Sequence, residues 1–358
     1  MGKPGAGLSG VDLLRAAFGI ASSRVFGRHR PLFVNIEPTH RCNLSCTYCD
    51  KHDGPQMTTE EGVRMVHEVA DAGGVSVCFD GGEPLVHPGI GDMVRAGRER
   101  GLAVAISTNG LLVPRRIDDV AAAHVMKISV DGAQEIHDRA RGPGAFERAI
   151  EGARVARDRG IWVALRMTIA EHNVRAHRDV LAIAAQLGIE ALFQPAIGSL
   201  FDAEQHRAAH SPHVAAYRET IDDLIELKRR GAPVANELVA LDHLRAWPDP
   251  KPVPFCSGGR VMAAIGPDGG VFPCGRVGRG EPAPNAFRDG VARAFAATLR
   301  PTDCASCWCS LTVANNYAYR LDPRLLAGRL GRRGAGVDLA AIDLPEAGLV
   351  ELRGRRTR

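Results

Sequence analysis

Long apolar runs are missing from this chain of 358 residues. A membrane-spanning helix needs about 20 consecutive, mostly apolar residues, and no stretch approaches that length. The first residues also lack the order of a charged segment followed by an apolar one that is typical of a signal peptide. Because 45% of the residues are hydrophobic, the chain can still bury a substantial core. We therefore expect a globular protein of the cytoplasm.

Lysine is scarce, with five residues, and aromatic residues make up only 5% of the chain. The formal net charge is +4, and most of the basic residues are arginines. A nucleic-acid-binding surface usually shows clustered basic residues, often interleaved with aromatic ones. The sequence contains no such stripe and no low-complexity segment. We therefore expect no nucleic acid among its partners.

Residues 1–30 contain the stretch VDLLRAAFGIASSRVFGRHR, whose apolar periodicity predicts a helix. Arg15, Arg24, Arg28 and Arg30 fall on or near its polar side. The favoured interpretation is a helix that packs under the main domain with a solvated basic face. Contact with a membrane surface is the less favoured alternative.

From residue 31 onward, short β-branched runs alternate with stretches of helical periodicity, which predicts alternating strands and helices. The predicted strands are 32–37, 75–79, 103–108, 125–130, 162–169 and 191–196, and the predicted helices are 58–72, 89–100, 114–123, 146–158 and 174–187. Such an alternation indicates an α/β fold with a parallel sheet, open or closed into a partial barrel. The site of such a sheet lies at the carboxyl ends of its strands.

This pattern breaks at Pro248–Pro254, and the residues that follow are rich in glycine and cysteine. We place a domain boundary there. The predicted organisation is an N-terminal basic helix, a barrel, a small cysteine-rich domain, and a C-terminal helix with a tail. These parts span residues 1–30, 31–250, 251–311 and 312–358.

Three of the nine cysteines, Cys42, Cys46 and Cys49, directly follow the first predicted strand. Bunched cysteines in a reducing compartment are more often metal ligands than disulfide partners. Three thiolates on one loop can hold an iron–sulfur cluster and leave one iron open, as catalytic metal sites keep a position free. Zinc is the alternative, but a structural zinc site needs a fourth ligand, and only His40 and His52 are close in the sequence.

The three cysteines and Tyr48 resemble the signature of the radical S-adenosylmethionine (SAM) superfamily, Cys-x3-Cys-x-aromatic-Cys. The resemblance extends over residues 32–195 and implies a partial (β/α)6 barrel. It also implies that the open iron binds the amino and carboxylate groups of SAM, and that electron transfer from the cluster yields a 5′-deoxyadenosyl radical. The expected cofactors are therefore a SAM-binding [4Fe–4S] cluster and SAM, with a flavodoxin or ferredoxin as electron donor.

Further motifs at the ends of the predicted strands resemble SAM-binding segments of this family. FDGGEP at 79–84 resembles the site for the SAM amine, while STNG at 107–110 and SVDG at 129–132 resemble segments that contact the ribose and carboxylate. Arg166 is a weaker candidate for the carboxylate, with an ion pair at the barrel mouth as the alternative. IHDRARGPGAF at 136–146 resembles a stretch common in members with extra clusters. The residues implied as SAM contacts are Tyr48, Gly81, Gly82, Glu83, Asn109, Ser129 and Arg166.

A second group of cysteines lies beyond the predicted boundary. The stretch 256–274 predicts a hairpin that brings Cys256 toward Cys274, and CASCWC returns further thiolates to the same point. A zinc ribbon is one alternative. The spacing resembles the opening of a SPASM domain and the shorter twitch domain of 2-deoxy-scyllo-inosamine dehydrogenase-like enzymes. It implies an auxiliary [4Fe–4S] cluster held by Cys256, Cys274, Cys304 and Cys307.

Two cysteines fall outside these ligand sets. Cys309 is surplus to the spacing and either replaces Cys307 as a ligand or is a free thiol that donates hydrogen, which would make it catalytic. Cys78 lies on the second predicted strand, and we expect it in the buried core.

We expect an oxidoreductase, a dehydrogenase that oxidises a secondary alcohol of a small natural product, with the auxiliary cluster as electron acceptor. The expected substrate is an aminocyclitol, aminoglycoside or sugar. The alternatives are a peptide-modifying maturase, a radical epimerase and an enzyme for a lipid-linked substrate. A cluster-bearing scaffold without activity would not need the FDGGEP motif. The residues in segments that could face the substrate are Asp202, His206, His210, Arg260, Arg276, Asn315, Asn316 and Tyr317.

Overall fold

The structure is a computed structural model with side chains. It describes residues 10–49, 53–196, 211–249, 251–252, 256–275, 282–298, 306–325 and 344–345.

A twisted, mostly parallel sheet forms the centre of the molecule. In the described part of the chain it has the strand order β6-β5-β4-β3-β2-β1-β7-β8, and only the β7–β8 pair is antiparallel. The strands are β1 (Phe33–Thr39), β2 (Ser76–Gly81), β3 (Ala103–Thr108), β4 (Val125–Ser129), β5 (Trp162–Ile169), β6 (Glu190–Pro195), β7 (Met262–Ile265) and β8 (Val271–Phe272). The predicted α/β fold with a parallel sheet is confirmed.

Helices α2 to α7 lie between successive parallel strands and cover the outer face of the sheet, and the other helices precede or follow this part of the chain. The helices are α1 (Gly10–Phe26), α2 (Thr59–Asp71), α3 (Ile90–Glu99), α4 (Val113–Val120), α5 (Gln134–Arg141), α6 (Ala145–Asp158), α7 (His177–Leu187), α8 (Val214–Arg229), α9 (Leu238–Leu244), α10 (Ala286–Asp289), α11 (Val291–Ala296) and α12 (Ser310–Arg320). None of the helices in the described ranges has the length and apolar character that a bilayer crossing requires.

Local sequence explains where these elements begin and what they bury. Helix α2 begins at a capping box, in which the Glu61 N–H donates to the Thr58 hydroxyl and the Thr58 N–H donates to the Glu61 carboxylate. Its apolar face places Met65 and Val66 in the core between helices and sheet. The short helix α5 was not predicted, because it is strongly polar and too short to show a period.

The predicted hairpin in the cysteine-rich part is present as β7 and β8, and Gly269 in its turn has a φ of +82°. Strand β7 also pairs in parallel with β1, from Phe33 opposite Met262 to Ile36 opposite Ile265. The hairpin therefore extends the central sheet. The proposed boundary near residue 250 stays a prediction.

Candidate cofactor and active site

The loop that follows β1 carries the first three cysteines at the carboxyl end of the sheet. Cys42, Cys46 and Cys49 are all half-buried, and the Cys49 N–H donates to the Cys46 carbonyl over 3.1 Å. Burial is the main cause that raises the pKa of Cys42 and raises that of Cys46 to about 11, and the neighbouring thiols add to both shifts. The three thiols therefore lie close enough to repel one another when ionised. A cation bound among them would reverse that effect.

The nearby histidines do not complete a ligand set with the three cysteines among the described residues. No group of three or more His, Cys, Asp or Glu side chains there converges as the ligands of a single ion must. His40 is engaged with Glu37, whose carboxylate oxygen lies 2.7 Å from its Nε2. His52 lies outside the described residues.

A buried charged network fixes the cysteine loop to the carboxyl end of β4 and to α5. The Tyr48 hydroxyl donates to Asp131 over 2.7 Å, and the Arg141 Nε donates to the same carboxylate oxygen over 2.6 Å. Arg141 also donates to the Tyr48 hydroxyl, and the Thr47 N–H donates to the Ala140 carbonyl. Burial alone would raise the pKa of Asp131, but the Arg141 guanidinium outweighs it, and the pKa is lowered.

The loop that follows β2, which contains Gly81 and Gly82, packs directly against the cysteine loop. A Cβ on Gly81 would lie 2.6 Å from the Thr39 carbonyl oxygen, and one on Gly82 would lie 2.3 Å from that of Arg41. Gly81 also has a φ of +110°. Only glycine allows the two backbones to approach this closely.

Glu83 is fully buried between the carboxyl ends of β2 and β3. Its carboxylate accepts hydrogen bonds from the Leu85 N–H over 3.0 Å, the Thr108 hydroxyl over 2.8 Å and the Asn109 N–H over 2.7 Å. Burial raises the pKa of this carboxyl, although these donors oppose the shift. A carboxylate has about four lone-pair positions, so about one remains for the amine of SAM. The role of Glu83 toward SAM stays a prediction.

The other predicted SAM contacts occupy two different surroundings. Asn109 donates through Nδ2 to Asn43 over 2.7 Å and lies 4.0 Å from the Cys42 sulfur, so it braces the cysteine loop. Ser129 and Arg166 are register partners on β4 and β5 and line the central cavity. Arg166 makes no ion pair within the described ranges, and its buried Nε has no hydrogen-bond partner there. The alternative of an ion pair at the barrel mouth is therefore not observed.

A cavity of about 560 Å³ runs through the interior of the barrel. Its upper wall contains the three cysteines of the β1 loop, and Cys274 and Cys309 line the same space. Lys127, on β4, lines its lower part, and Gln194, next to the last residue of β6, lines it nearer the carboxyl end of the sheet. One continuous space therefore joins the two cysteine groups and the interior of the barrel.

Cys78 lines this cavity, so its predicted place in the buried core is wrong. Its neighbours Val77 and Phe79 are fully buried against the helices, and the alternation of a strand turns Cys78 to the opposite face, into the barrel interior. The Lys127 ammonium donates to its sulfur over 3.2 Å.

Two buried polar side chains of the cavity wall are incompletely satisfied. Lys127 is 8% exposed and has no carboxylate within ion-pair distance among the described residues. Gln194 is 3% exposed, and its carbonyl oxygen has no hydrogen-bond partner in the same set. Buried groups of this kind are normally paired, so each has capacity for a bound molecule.

The second cysteine group lies near the start of α12. Burial raises the pKa of Cys307 well above its usual range, and the nearby thiols of Cys309, Cys274 and Cys256 add to the shift. Those four sulfurs are therefore neighbours. Cys304 lies outside the described residues, so the predicted ligand set and the role of Cys309 stay predictions.

Of the residues expected to face the substrate, the structure describes four, and one of these lines the cavity. Asn315 lines it, while Asn316 accepts hydrogen bonds from the Ser257 N–H and hydroxyl and is buried. Tyr317 contacts His243 outside the cavity. Arg260 stacks on the Tyr319 ring. Asp202, His206, His210 and Arg276 lie outside the described residues.

Comparison with known proteins identifies the type of domain that contains the cysteine loop. The family model for the radical SAM superfamily matches residues 36–183. These residues form a radical SAM domain. The predicted cofactors, SAM with a [4Fe–4S] cluster and an auxiliary cluster, are those that this family and its relatives imply.

Individual relatives match different shares of the chain. An AdoMet-dependent heme synthase of Methanosarcina barkeri is 35% identical over 171 residues, 45% of this chain and 49% of the relative. A PqqA peptide cyclase of Rhodopseudomonas palustris is 29% identical over 258 residues, 68% of this chain and 67% of the relative. The chain thus spans about half the length of the first of these relatives and two thirds of the second.

A solved structure supports the fold. Streptococcus suis SuiB bound to its precursor peptide SuiA has a TM-score of 0.62 and 16% sequence identity, and the match covers 83% of this chain and 75% of SuiB. At that identity the similarity shows the radical SAM fold and nothing finer.

Proposed function

We propose that this protein is a radical SAM enzyme that modifies a peptide. The observation that carries the proposal is a continuous cavity, which joins the cysteine loop of the radical SAM domain to the second cysteine group. The PqqA peptide cyclase match supports it, because it covers 68% of the chain, whereas the heme synthase match covers 45%. SuiB, which shares the fold, was solved with a bound precursor peptide.

This proposal replaces the expected oxidation of an aminocyclitol as the leading function. None of the three relatives described above is named for an aminocyclitol, an aminoglycoside or a sugar. The peptide-modifying alternative therefore has direct support from relatives, and the dehydrogenase subtype does not. The proposed partners are a peptide substrate and an electron donor of the flavodoxin or ferredoxin type.

The proposed roles divide between the two cysteine groups. Cys42, Cys46 and Cys49 would hold the SAM-binding cluster, and the second group, as Cys256, Cys274, Cys304 and Cys307, would hold the auxiliary one. When bound, SAM with the first cluster supplies hydrogen-atom abstraction from a C–H bond, and the auxiliary cluster supplies a site for the remaining electron.

The protein's own side chains hold and orient these groups. Tyr48, Asp131 and Arg141 hold the cysteine loop at the carboxyl end of β4 through the short hydrogen bonds described above. Glu83 and Asn109 tie the neighbouring loops together at the same end of the sheet. Because these contacts are buried, they would hold the loops of the upper part in place for the cofactors.

The part of the cavity that SAM does not fill would receive the reacting residue of the peptide. A space of about 560 Å³ falls within the range for a small-ligand site, so it admits SAM and a short piece of substrate. The rest of a peptide must lie outside the barrel. Lys127 would donate to a carbonyl or carboxylate of the reacting residue, and the Gln194 carbonyl would accept from an N–H or O–H group.

The test is incubation of the reconstituted protein, SAM and a reductant with a short peptide encoded beside its gene, followed by mass spectrometry. We expect a product lighter by two hydrogen atoms, formed together with 5′-deoxyadenosine. A peptide that shares the composition but has a scrambled order is the matched control. An unchanged peptide, together with oxidation of an added aminocyclitol, would reject the proposal and restore the dehydrogenase.

A further inference from the structure

Helix α1 presents an unusual apolar surface to solvent. Val11, Leu14, Phe18 and Val25 are 66%, 73%, 77% and 72% exposed, and Phe26 at the helix end is 71% exposed. Their spacing of three, four and seven residues places the first four side chains along one side of the helix. We call these five residues the outer stripe.

The outer stripe is not needed to attach α1 to the domain. The opposite side of the helix buries Ala16 and Ile20 in a separate cluster with Leu32, Val75 and Tyr319. Arg15 adds hydrogen bonds of 3.0 Å to two backbone carbonyls of the domain. A run of large exposed apolar side chains on a helix that is already anchored indicates a docking surface.

The charges beside the outer stripe define what can dock there. Arg28 and Arg30 are exposed and make no ion pair within the described ranges, and the Arg28 guanidinium lies 5.9 Å from the centre of the Phe26 ring. Arg24 donates to the Tyr319 and Arg320 carbonyls. Between residues 10 and 30 the arginines face Asp12 as the only carboxylate. The occupant should therefore be apolar and carry negative charge.

We propose that α1 docks on the surface of a bilayer that contains anionic lipids. A helix with an apolar side and flanking arginines inserts its apolar side at the headgroup boundary, while the arginines contact lipid phosphates. A second copy of the chain fits less well as the occupant. Pairing two outer stripes would bring the positively charged arginines of both copies together and would supply no negative charge. A lipid surface satisfies both requirements at once.

The position of α1 decides how the docked protein is oriented. The helix covers the amino ends of the parallel strands, since it packs on Leu32 before β1, Val75 before β2 and Met262 at the start of β7. The cysteine loop lies at the opposite, carboxyl end of the same sheet. A docked protein therefore turns its cavity away from the bilayer, toward soluble substrates, which disfavours the lipid-linked substrate considered from the sequence.

The test is sedimentation of the full-length protein with vesicles of phosphatidylcholine containing about 30% phosphatidylglycerol. We expect binding to these vesicles, much weaker binding to pure phosphatidylcholine, and a loss of binding as salt rises. The double variant Leu14→Ser with Phe18→Ser should reduce the bound fraction at least about tenfold. Leu238→Ser, which changes an exposed leucine on α9, is the matched control and should bind like the wild type.

Arg28→Gln with Arg30→Gln should weaken binding and flatten its salt dependence, while Arg148→Gln, on α6, should change neither. Circular dichroism and iron content should be unchanged in every variant, because the altered side chains are exposed. Absence of binding to the anionic vesicles at low salt would overturn the proposal. A dimer in solution that the Leu14 and Phe18 changes abolish, without vesicle binding, would instead assign the outer stripe to a second copy. Neither result depends on the peptide-modifying function, which the peptide assay tests separately.

Discussion

Two sets of polar groups around the central cavity differ in how they are satisfied. In the network that holds the cysteine loop, Glu83, Asp131 and Arg141 are all paired with other protein groups. On the cavity walls formed by β4 and β6, Lys127 and Gln194 keep hydrogen-bonding capacity that no described residue uses. The difference indicates a preorganised cofactor site beside a space left open for substrate.

The largest expected effect comes from removing the cluster ligands of the upper part. Reconstituted wild-type protein should hold about eight irons, and the triple variant Cys42→Ala, Cys46→Ala and Cys49→Ala should lose about half of them and all formation of 5′-deoxyadenosine. Iron analysis and chromatography measure both. Cys78→Ala is the control, since Cys78 lines the same cavity and is not an expected ligand. Cleavage of SAM by the triple variant would place the SAM-binding cluster elsewhere.

The next largest effect, on the free energy of unfolding, is expected from breaking the network that holds the cysteine loop. Asp131→Asn leaves the nearly buried Arg141 without its carboxylate, which should lower the free energy of unfolding by about 3–5 kcal/mol. Asp92→Asn breaks the exposed Arg95–Asp92 pair and should cost about 0–1 kcal/mol. Urea unfolding measures both. If Asp131→Asn lowers the free energy of unfolding no more than Asp92→Asn does, this network does not stabilise the fold.

The same variant has a predicted pH dependence. The pKa of Asp131 is lowered in the folded state, so its stabilisation is present above the unfolded value of about 3.9 and is lost as pH falls toward the folded value. The difference in unfolding free energy between wild type and Asp131→Asn should therefore be constant between about pH 5 and 7 and shrink below about pH 4. A difference that grows on acidification would contradict the assigned direction.

The smallest change in stability is expected in the lower cavity. Lys127→Met removes a buried ammonium that lacks a carboxylate, so the free energy of unfolding should change by less than about 1 kcal/mol or rise. Iron content and peptide-independent formation of 5′-deoxyadenosine should be unchanged, while peptide modification should fall. Lys228→Met, which removes a 2.7 Å hydrogen bond to the Val234 carbonyl, is the control for a structural lysine. A loss above about 2 kcal/mol for Lys127→Met would show that the lower part is structural too.

Much of the fold could be predicted because each strand and helix carries its own pattern. The six parallel strands, the β7–β8 hairpin and the helices between the strands, apart from α5, appear close to their predicted bounds. The resemblance of the cysteine spacing to the radical SAM signature identified the domain, because this signature lies within one short loop. Side chains repeat every two residues in a strand and every 3.6 residues in a helix. Both periods can be recognised in a short stretch of sequence without knowing what that stretch packs against.

The sequence by itself determined the strands, the helices and the cysteine loop, whereas the tertiary structure decided which distant residues meet. Asp131 and Arg141 stood inside quoted motifs, but only the packing of α5 beside β4 brought them to Tyr48. Cys78 was misplaced because a strand in a barrel hides both of its faces, one under the helices and one in the interior. The two-residue period of a strand assigns its residues to two faces. It does not show which face packs in the core and which lines the cavity.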